Sequence, residues 1–443
     1  MRPKACLIKC KLLLKCVMKN IFKMGTRFVR LLIKISRMRI LWILLLFLIA
    51  LLSYTRKCES DQLKNYYVKK HSSNPVIVWW TSNFPGTMEV RYCSSHIKCD
   101  IYSNKNASLQ YNVSAYLFYG SNIEIEDLPR KHPREIWGLY HEESPRNLEV
   151  LMHESMLSLF NFSATFSRYS NVPFPLQYMG SIDDITSTEY FIPTSVKNGL
   201  LNRISSIIYL QSDCETSTER DTYVKELMKY IQIDSYGACL NNKKLPKQFS
   251  EDYLNNLNED NFLKFVARYK FVVAIENGVC EDYVTEKFWR AIKVGSVPIY
   301  FGSPSIRDWF PNNKSAILLD DFPTPEVMSK HIKKLLNNDN LYDEYLEHKI
   351  KKVITNQRLV EEIQARPYQG DGIQSVEKFE CFICEKLHNK SGLGINIVDK
   401  SHYDCPKPVS ALTLSVNPTN PWVYSWKYAK NRAHELYNML AYG

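Results

Sequence analysis

The chain has 443 residues, 45% of them apolar and 23% charged, enough for two ordinary domains with buried cores and a tail. Its formal charge of +11 suggests a nucleic-acid or anionic-membrane partner until it is located, because residues 1–39 hold twelve Lys or Arg and no acid. Without those twelve and Arg56 and Lys57, 43 basic residues face 46 acidic ones, and a nucleic-acid-binding role loses its main support.

Between Arg39 and Arg56 runs the uncharged segment ILWILLLFLIALLSYT, short for a spanning helix of ~20 residues but extendable by snorkelling of the flanking arginines. A cleaved signal peptide and a buried core helix are the alternatives. The basic leader and the absence of a small-residue cleavage site after Ala50 favour an uncleaved anchor. Residues 1–39 therefore read as a cytosolic basic tail, 40–55 as a transmembrane signal-anchor and 56–74 as a polar stem. The rest is expected on the lumenal side of the endoplasmic reticulum or Golgi, as a single-pass type II protein. Five N-x-S/T sequons, at Asn106, Asn112, Asn161, Asn313 and Asn389, agree with a lumenal body. So do nine cysteines after the span: Cys58, Cys93, Cys99, Cys214, Cys239, Cys280, Cys381, Cys384 and Cys405. Nine is odd, which makes Cys58 in the stem the candidate for an unpaired or intermolecular thiol and permits a homodimer.

Short apolar strands follow at VIVWW (76–80), AYLFY (115–119) and IWGLY (136–140), with turn-rich and helical stretches between them, as in a first α/β unit spanning 75–203. A second unit, 204–365, begins with a strand in SSIIYLQS (205–212) and continues through an amphipathic helix around Thr222–Ile231. It then takes in a strand at Phe271–Ile275, SAILLDDF (315–322) and paired helices over 325–354, leaving 366–443 as a cysteine-containing C-terminal segment. After Ile275 come polar, turn-prone residues, then a helix start near Thr285, whose hydroxyl can cap free amides. That places Glu286 and Lys287 in the first turn, where amides and a lysine could stabilise a departing phosphate; an ordinary αβ connection fits the same spacing. In YHEESP (140–145) the adjacent Glu142 and Glu143 would point to opposite faces of an extended segment, so one alone can face a cleft. Cys381-x2-Cys384 with His402-x2-Cys405 has zinc-ribbon spacing and is weighed against disulfides, which an oxidising lumen favours.

ENGVCEDYVTEKFW (276–289) and SVPIYFGSPS (296–305), with YHEESP, TFSRYS (165–170), QSDCETSTERDTYVKEL (211–227) and DSYGACL (234–240), resemble the α1,3-fucosyltransferases of glycosyltransferase family 10. The resemblance extends over roughly residues 75 to 405 and touches the divergent animal branch of that family. It implies an α/β fold of GT-B architecture, two Rossmann-like domains facing each other across a cleft, and inverting transfer of fucose from GDP-β-L-fucose. By the same resemblance Glu143 is the catalytic base, and Arg220 and Lys287 take up the charge on the leaving diphosphate. Glu286 would lie near the fucose ring, and Asn277 and Tyr283 would line the donor pocket. Tyr269 is a weaker candidate for that pocket, better explained as packing, and Asn277 has capping as its alternative.

No Asp-x-Asp pair occurs in the chain, so no metal cofactor is expected; adjacent Asp183-Asp184 and Asp320-Asp321 read as solvated turns. The disulfide candidates are Cys93, Cys99, Cys214, Cys239, Cys381, Cys384 and Cys405. In TFSRYS, Arg168 is followed by Tyr169 where the family pattern has an acidic residue, which implies a changed acceptor face. The branch resembled is linked to O-fucosylation of Ser or Thr in folded EMI-type protein modules. α1,3-Fucosylation of GlcNAc in N-glycans or lactosamine is the alternative, and a non-catalytic lumenal glycan- or protein-binding partner the second.

Overall fold

The computed structural model describes residues 48–50, 69–81, 84–85, 89–133, 135–249, 259–389 and 396–442. The chain divides into two compact units, Met1–Lys69 and Lys70–Gly443. Of the first, the described residues 48–50 are helical. The basic tail, most of the signal-anchor and stem, and Cys58 lie outside the described residues; among those described, no helix is long and apolar enough to cross a membrane.

The second unit is an α/β structure with two mainly parallel sheets. In chain order the first sheet comprises β1 (Val76–Trp79), β2 (Glu89–Tyr92), β3 (Lys98–Tyr102), β4 (Ala115–Tyr119), β5 (Ile136–His141) and β6 (Phe162–Thr165), arranged β2-β3-β1-β4-β5-β6. Only the β2–β3 pair is antiparallel. The second sheet comprises β7 (Ile207–Leu210), β8 (Ile233–Tyr236), β9 (Phe271–Ile275), β10 (Val297–Phe301) and β11 (Ile317–Leu318) in the order β11-β10-β9-β7-β8, parallel throughout. The central strands are apolar along their length because both faces are covered.

Both faces of the first sheet are closed by the C-terminal segment. Val76 and Val78 pack with Ala429, Ala433 and Leu436, whereas Ile77 and Trp79 pack with Phe379 and Ile383, the alternation expected of a strand between two layers. The first lobe therefore borrows its covering helices from residues some 300 positions away. Gly138 makes room for one of them: a Cβ there would come within 2.8 Å of Phe379 Cζ and 2.6 Å of Leu117 Cδ2.

In the second lobe, α1 (Arg220–Leu227) begins earlier and ends sooner than the sequence pattern suggests. Glu219 adopts a left-handed conformation (φ 51°) that turns the chain into the helix, and after Leu227 the bonds shorten to three-residue turns such as Lys229 N to Glu226 O. Helix α2 (Glu286–Val294) starts where expected, with the Thr285 hydroxyl accepting from Lys287 N, and ends at Gly295 in the left-handed region (φ 67°). Helix α3 (Pro325–Leu336) is capped by Thr324, and α4 (Gly372–His388) and α5 (Pro421–Tyr442) are the two covers of the first sheet.

Eight cysteines form four disulfides: Cys93–Cys381, Cys99–Cys384, Cys214–Cys239 and Cys280–Cys405. Cys280, absent from the sequence-based candidates, is the partner of Cys405. The zinc-ribbon alternative is overturned, since Cys381 and Cys384 lie one turn apart on α4 and each reaches a different strand-side cysteine, while His402 is bonded to Ser163 Oγ at 2.5 Å. Cys99, Cys384 and His388 come within 4.8 Å of one another, but both sulfurs are spent in one disulfide. Of the sequons, Asn106, Asn112, Asn313 and Asn389 are exposed. Asn161 is half-buried: its Oδ1 accepts from Lys131 Nζ (2.9 Å) and Trp137 N (3.0 Å) and its Nδ2 donates to Asn396 O (3.1 Å). Asp184 belongs to a capping box with Ser181 and pairs with Lys293, and Asp321 pairs with Arg307.

Candidate active site

β5 ends at His141, a buried imidazole that contacts the Tyr403 hydroxyl and Ser121 Oγ (3.0 Å); burial lowers its pKa to about 3, so it stays neutral. The next two carboxylates part as the extended backbone requires. Glu142 Oε1 accepts from the Tyr119 hydroxyl, on the first lobe. Glu143 turns to the second lobe, where its Oε1 accepts from the Tyr283 hydroxyl and from Asn277 Nδ2 (3.3 Å), in addition to Ser144 N (2.8 Å). Ser144 Oγ donates to Asn277 Oδ1 at 3.0 Å, so one amide ties both residues. Three donors converge on one oxygen, and among the described residues no hydrogen bond engages Oε2. Fixed in this way, the carboxylate can accept a proton through that second oxygen.

Across the cleft, β9 delivers Glu276 and Asn277 at its carboxyl end, the position where parallel sheets bind ligands. Glu276 is fully buried and takes the Thr285 amide on Oε1 (2.8 Å) and the Thr285 hydroxyl on Oε2 (2.7 Å), which fixes the start of α2. Lys287 Nζ then lies 3.0 Å from Thr285 Oγ1, 3.4 Å from Glu276 Oε2 and 3.2 Å from Glu286 Oε1. Burial works against the Lys287 ammonium, but Glu286 and Glu276 outweigh it and raise its pKa. Burial likewise opposes the Glu286 carboxylate, yet Lys287 and Arg290 hold its pKa down at about 2. The start of α2 thus presents a locked cation and a locked anion at the positive end of the helix dipole, suited to a diphosphate beside a cationic sugar centre. Arg220, 1% exposed at the start of α1, donates Nη2 to Asp213 O (2.7 Å) and Nη1 to Ile275 O (3.4 Å); its buried Nε has no hydrogen-bond partner among the described residues. It braces the carboxyl ends of β7 and β9 against each other.

Residues 72–177 match the family described as "Fucosyltransferase, N-terminal" and residues 200–399 the one described as "Glycosyltransferase family 10 (fucosyltransferase) C-term". The chain is 43% identical over 363 residues to "Alpha-(1,3)-fucosyltransferase B" of Drosophila melanogaster, covering 80% of each chain. It is 39% identical over 386 residues to the human "GDP-fucose protein O-fucosyltransferase 3", covering 82% of this chain and 79% of the relative. A solved α1,3-fucosyltransferase with GDP-fucose aligns at 18% identity and a TM-score of 0.39, over 63% of this chain and 84% of that one. The chain belongs to glycosyltransferase family 10. It is a fucosyltransferase with GDP-fucose as donor.

In this fucosyltransferase, Glu143, Asn277, Tyr283, Glu286 and Lys287 are joined through direct contacts and through Glu276 and Thr285, and Arg220 reaches the same strand end as Glu276. Tyr269 is not among them: it is fully buried beneath the second sheet, with its hydroxyl on Asp234 (3.0 Å) and Tyr236 (2.8 Å). Arg168, beside the Tyr169 departure, is engaged within the protein. It forks onto Asp282, reaches Asp308 (2.8 Å) and stacks on Trp309 (4.5 Å), joining the two lobes, while Tyr169 beside it is 59% exposed. Two residues carry the site without a sequence signal of their own. Glu276 reads as turn-prone polar sequence, and only its burial beside Thr285 marks it as the organiser of α2. Tyr178, 38% exposed as a residue, has its hydroxyl pushed well up, by desolvation of that end first and then by the negative charge of Glu286, Glu143, Glu276 and Glu142.

Proposed function

We propose that this fucosyltransferase has GT-B architecture and inverts the sugar centre, moving L-fucose from GDP-β-L-fucose to a Ser or Thr hydroxyl of a folded EMI-type protein module. The observation that carries the reading is the fixing of Glu143 Oε1 by donors from both lobes, opposite the Lys287 and α2 start. The acceptor oxygen attacks the fucose C1 on the face away from GDP. As it bonds, its proton passes to Glu143 and the C1–O bond to the β-phosphate breaks. The charge that appears on GDP is met by Lys287, the α2 helix dipole and the Arg220 guanidinium, without a metal. Glu286, anionic beside the sugar, offsets positive charge developing on the ring.

Similarity to the human "GDP-fucose protein O-fucosyltransferase 3" supports a protein acceptor, and similarity to the fly "Alpha-(1,3)-fucosyltransferase B" supports the second reading, a GlcNAc acceptor on a glycan. Four disulfides support an oxidising compartment, in keeping with a type II anchor in the endoplasmic reticulum or Golgi. The test is to give the full chain GDP-fucose with a folded EMI-type module and, separately, an N-acetyllactosamine glycan, and to weigh the products. Fucose on the module is the expected result. Fucose on the glycan alone selects the second reading, and GDP binding without transfer to either selects the non-catalytic one.

A further inference from the structure

Tyr283, whose hydroxyl donates to Glu143, lies in the loop between β9 and α2, and the first lobe grips that loop at the residue just before it. Asp282 is fully buried and adopts a left-handed conformation (φ 62°), which a residue other than glycine keeps only where its surroundings enforce it. Those surroundings are bonds to its carboxylate. Arg168, just past the end of β6, forks onto both oxygens: its Nε lies 2.9 Å from Oδ1 and 2.8 Å from Oδ2, its Nη2 contacts Oδ1, and its backbone amide donates to Oδ2 (2.9 Å). From the second lobe, Trp309 Nε1 donates to Oδ1 (3.1 Å), and Ser305 Oγ donates to Oδ1 (2.8 Å) while accepting from the Asp282 amide (3.1 Å). Phe166, on the same segment as Arg168, meets the Tyr283 ring with 5.0 Å between centroids. On the other side of the turn, Cys280 is bonded to Cys405 and Glu281 N donates to Asp404 O (3.0 Å). The loop is therefore tied both before and at the turn that leads into Tyr283. Arg168 itself has no nitrogen left for a substrate, since Nη1 donates to Asp308 (2.8 Å) and its face lies on Trp309 (4.5 Å), so any effect it has on the reaction passes through Asp282.

We propose that Arg168 and Asp282 are positioning residues for the base: by holding the left-handed turn they aim the Tyr283 hydroxyl at Glu143 Oε1, and the contact between the lobes thereby sets the orientation of the carboxylate. The inference rests on Glu143 as the general base proposed above. A planar guanidinium that meets both oxygens of a carboxylate fixes direction as well as distance, which the point charge of a lysine does not. Misdirection of a base is felt in the transition state, so the loss falls on kcat and spares KM.

The test is a double-mutant cycle in the full chain between Arg168→Met and Tyr283→Phe, the second of which removes the hydroxyl and keeps the ring. Kinetics are read with GDP-fucose and whichever of the folded EMI-type module and the N-acetyllactosamine glycan takes fucose, and GDP affinity is the control for folding. Each single variant should lower kcat by about 10- to 100-fold, as a small misplacement of a reacting group does, while KM for donor and acceptor changes by less than about twofold. In the Tyr283→Phe background, Arg168→Met should lower kcat by less than about twofold further, because the route through the hydroxyl is already cut. Where Arg168→Met fails to bind GDP, Arg168→Lys takes its place: it keeps a charge beside Asp282 without the fork, and should show a smaller loss with the same dependence on Tyr283. Equal losses in both backgrounds, or a kcat unmoved by either single variant, overturn the inference and leave Glu143 as the base. A raised KM for GDP-fucose with unchanged kcat also overturns it, by giving Arg168 a part in holding the donor. Full activity in Glu143→Gln overturns the base reading and the inference together, as does a wild-type chain that transfers to neither acceptor.

Discussion

The two lobes are both parallel α/β structures, yet they are built in different ways. The second lobe takes its sheet, its caps and its charged site from nearly contiguous sequence: Glu276, Thr285, Glu286 and Lys287 lie within twelve residues and form one hydrogen-bonded set. The first lobe is finished from a distance. Its Arg91 and Trp79 are satisfied by Glu380, its Cys93 and Cys99 by Cys381 and Cys384, and both faces of its sheet by α4 and α5. The second lobe can therefore be specified locally, while the first depends on a closure that forms only when the C-terminal segment has docked.

Glu143 stands between the two, and removing its charge should have the largest effect. Glu143→Gln is expected to lower transfer by about two to four orders of magnitude, the range for a missing general base, with GDP affinity retained in a calorimetric titration. Full activity in that variant would remove Glu143 from the mechanism. On the first lobe, Cys93→Ser with Cys381→Ser should cost about 2–5 kcal/mol of stability, read as a shift in the urea midpoint. If the comparison holds, the acceptor KM also rises in this variant while the GDP affinity of the second lobe changes little. The converse experiment is Lys287→Met, expected to slow transfer about 10²- to 10³-fold through lost charge stabilisation on the leaving group, with the acceptor KM unchanged.

The last test reads a pH slope from two buried imidazoles, one in each lobe. His141 and His348 are both held at about 3 by burial, with Lys349 reinforcing His348. The unfolded chain binds those protons near pH 6.5, so it holds more protons than the folded one between 6.5 and 3. Stability is then fully present above 6.5 and falls as pH drops through that window, by up to about 1.4 kcal/mol per pH unit for each histidine. His141→Asn should flatten the slope of the urea midpoint against pH between 6.5 and 3; an unchanged slope would contradict a neutral, buried His141.

Much of the donor lobe was legible in the sequence because its signals are local. The apolar run Phe271–Ile275 forms a strand, Thr285 caps α2, and the split between Glu142 and Glu143 follows from strand geometry alone. The boundaries of α1 were less legible, since the left-handed turn at Glu219 has no glycine to announce it. Asn161 reads as a sequon, and nothing local announces that its amide is engaged by Lys131, Trp137 and Asn396. Tyr169 reads as a change on the acceptor face, but nothing local shows that Arg168 beside it is bonded across the lobes to Asp282 and Asp308, more than a hundred residues on.

By itself, the sequence determined the family, the α/β class, the donor chemistry and the identity of the charged residues, because those depend on residue type and short spacing. Only the tertiary structure decided the disulfide pairing, the burial of Glu276, the convergence of three donors on one oxygen of Glu143 and the fork of Arg168 onto Asp282. Each of these depends on atoms brought together across long stretches of chain, and their distances are set by packing that no local pattern encodes.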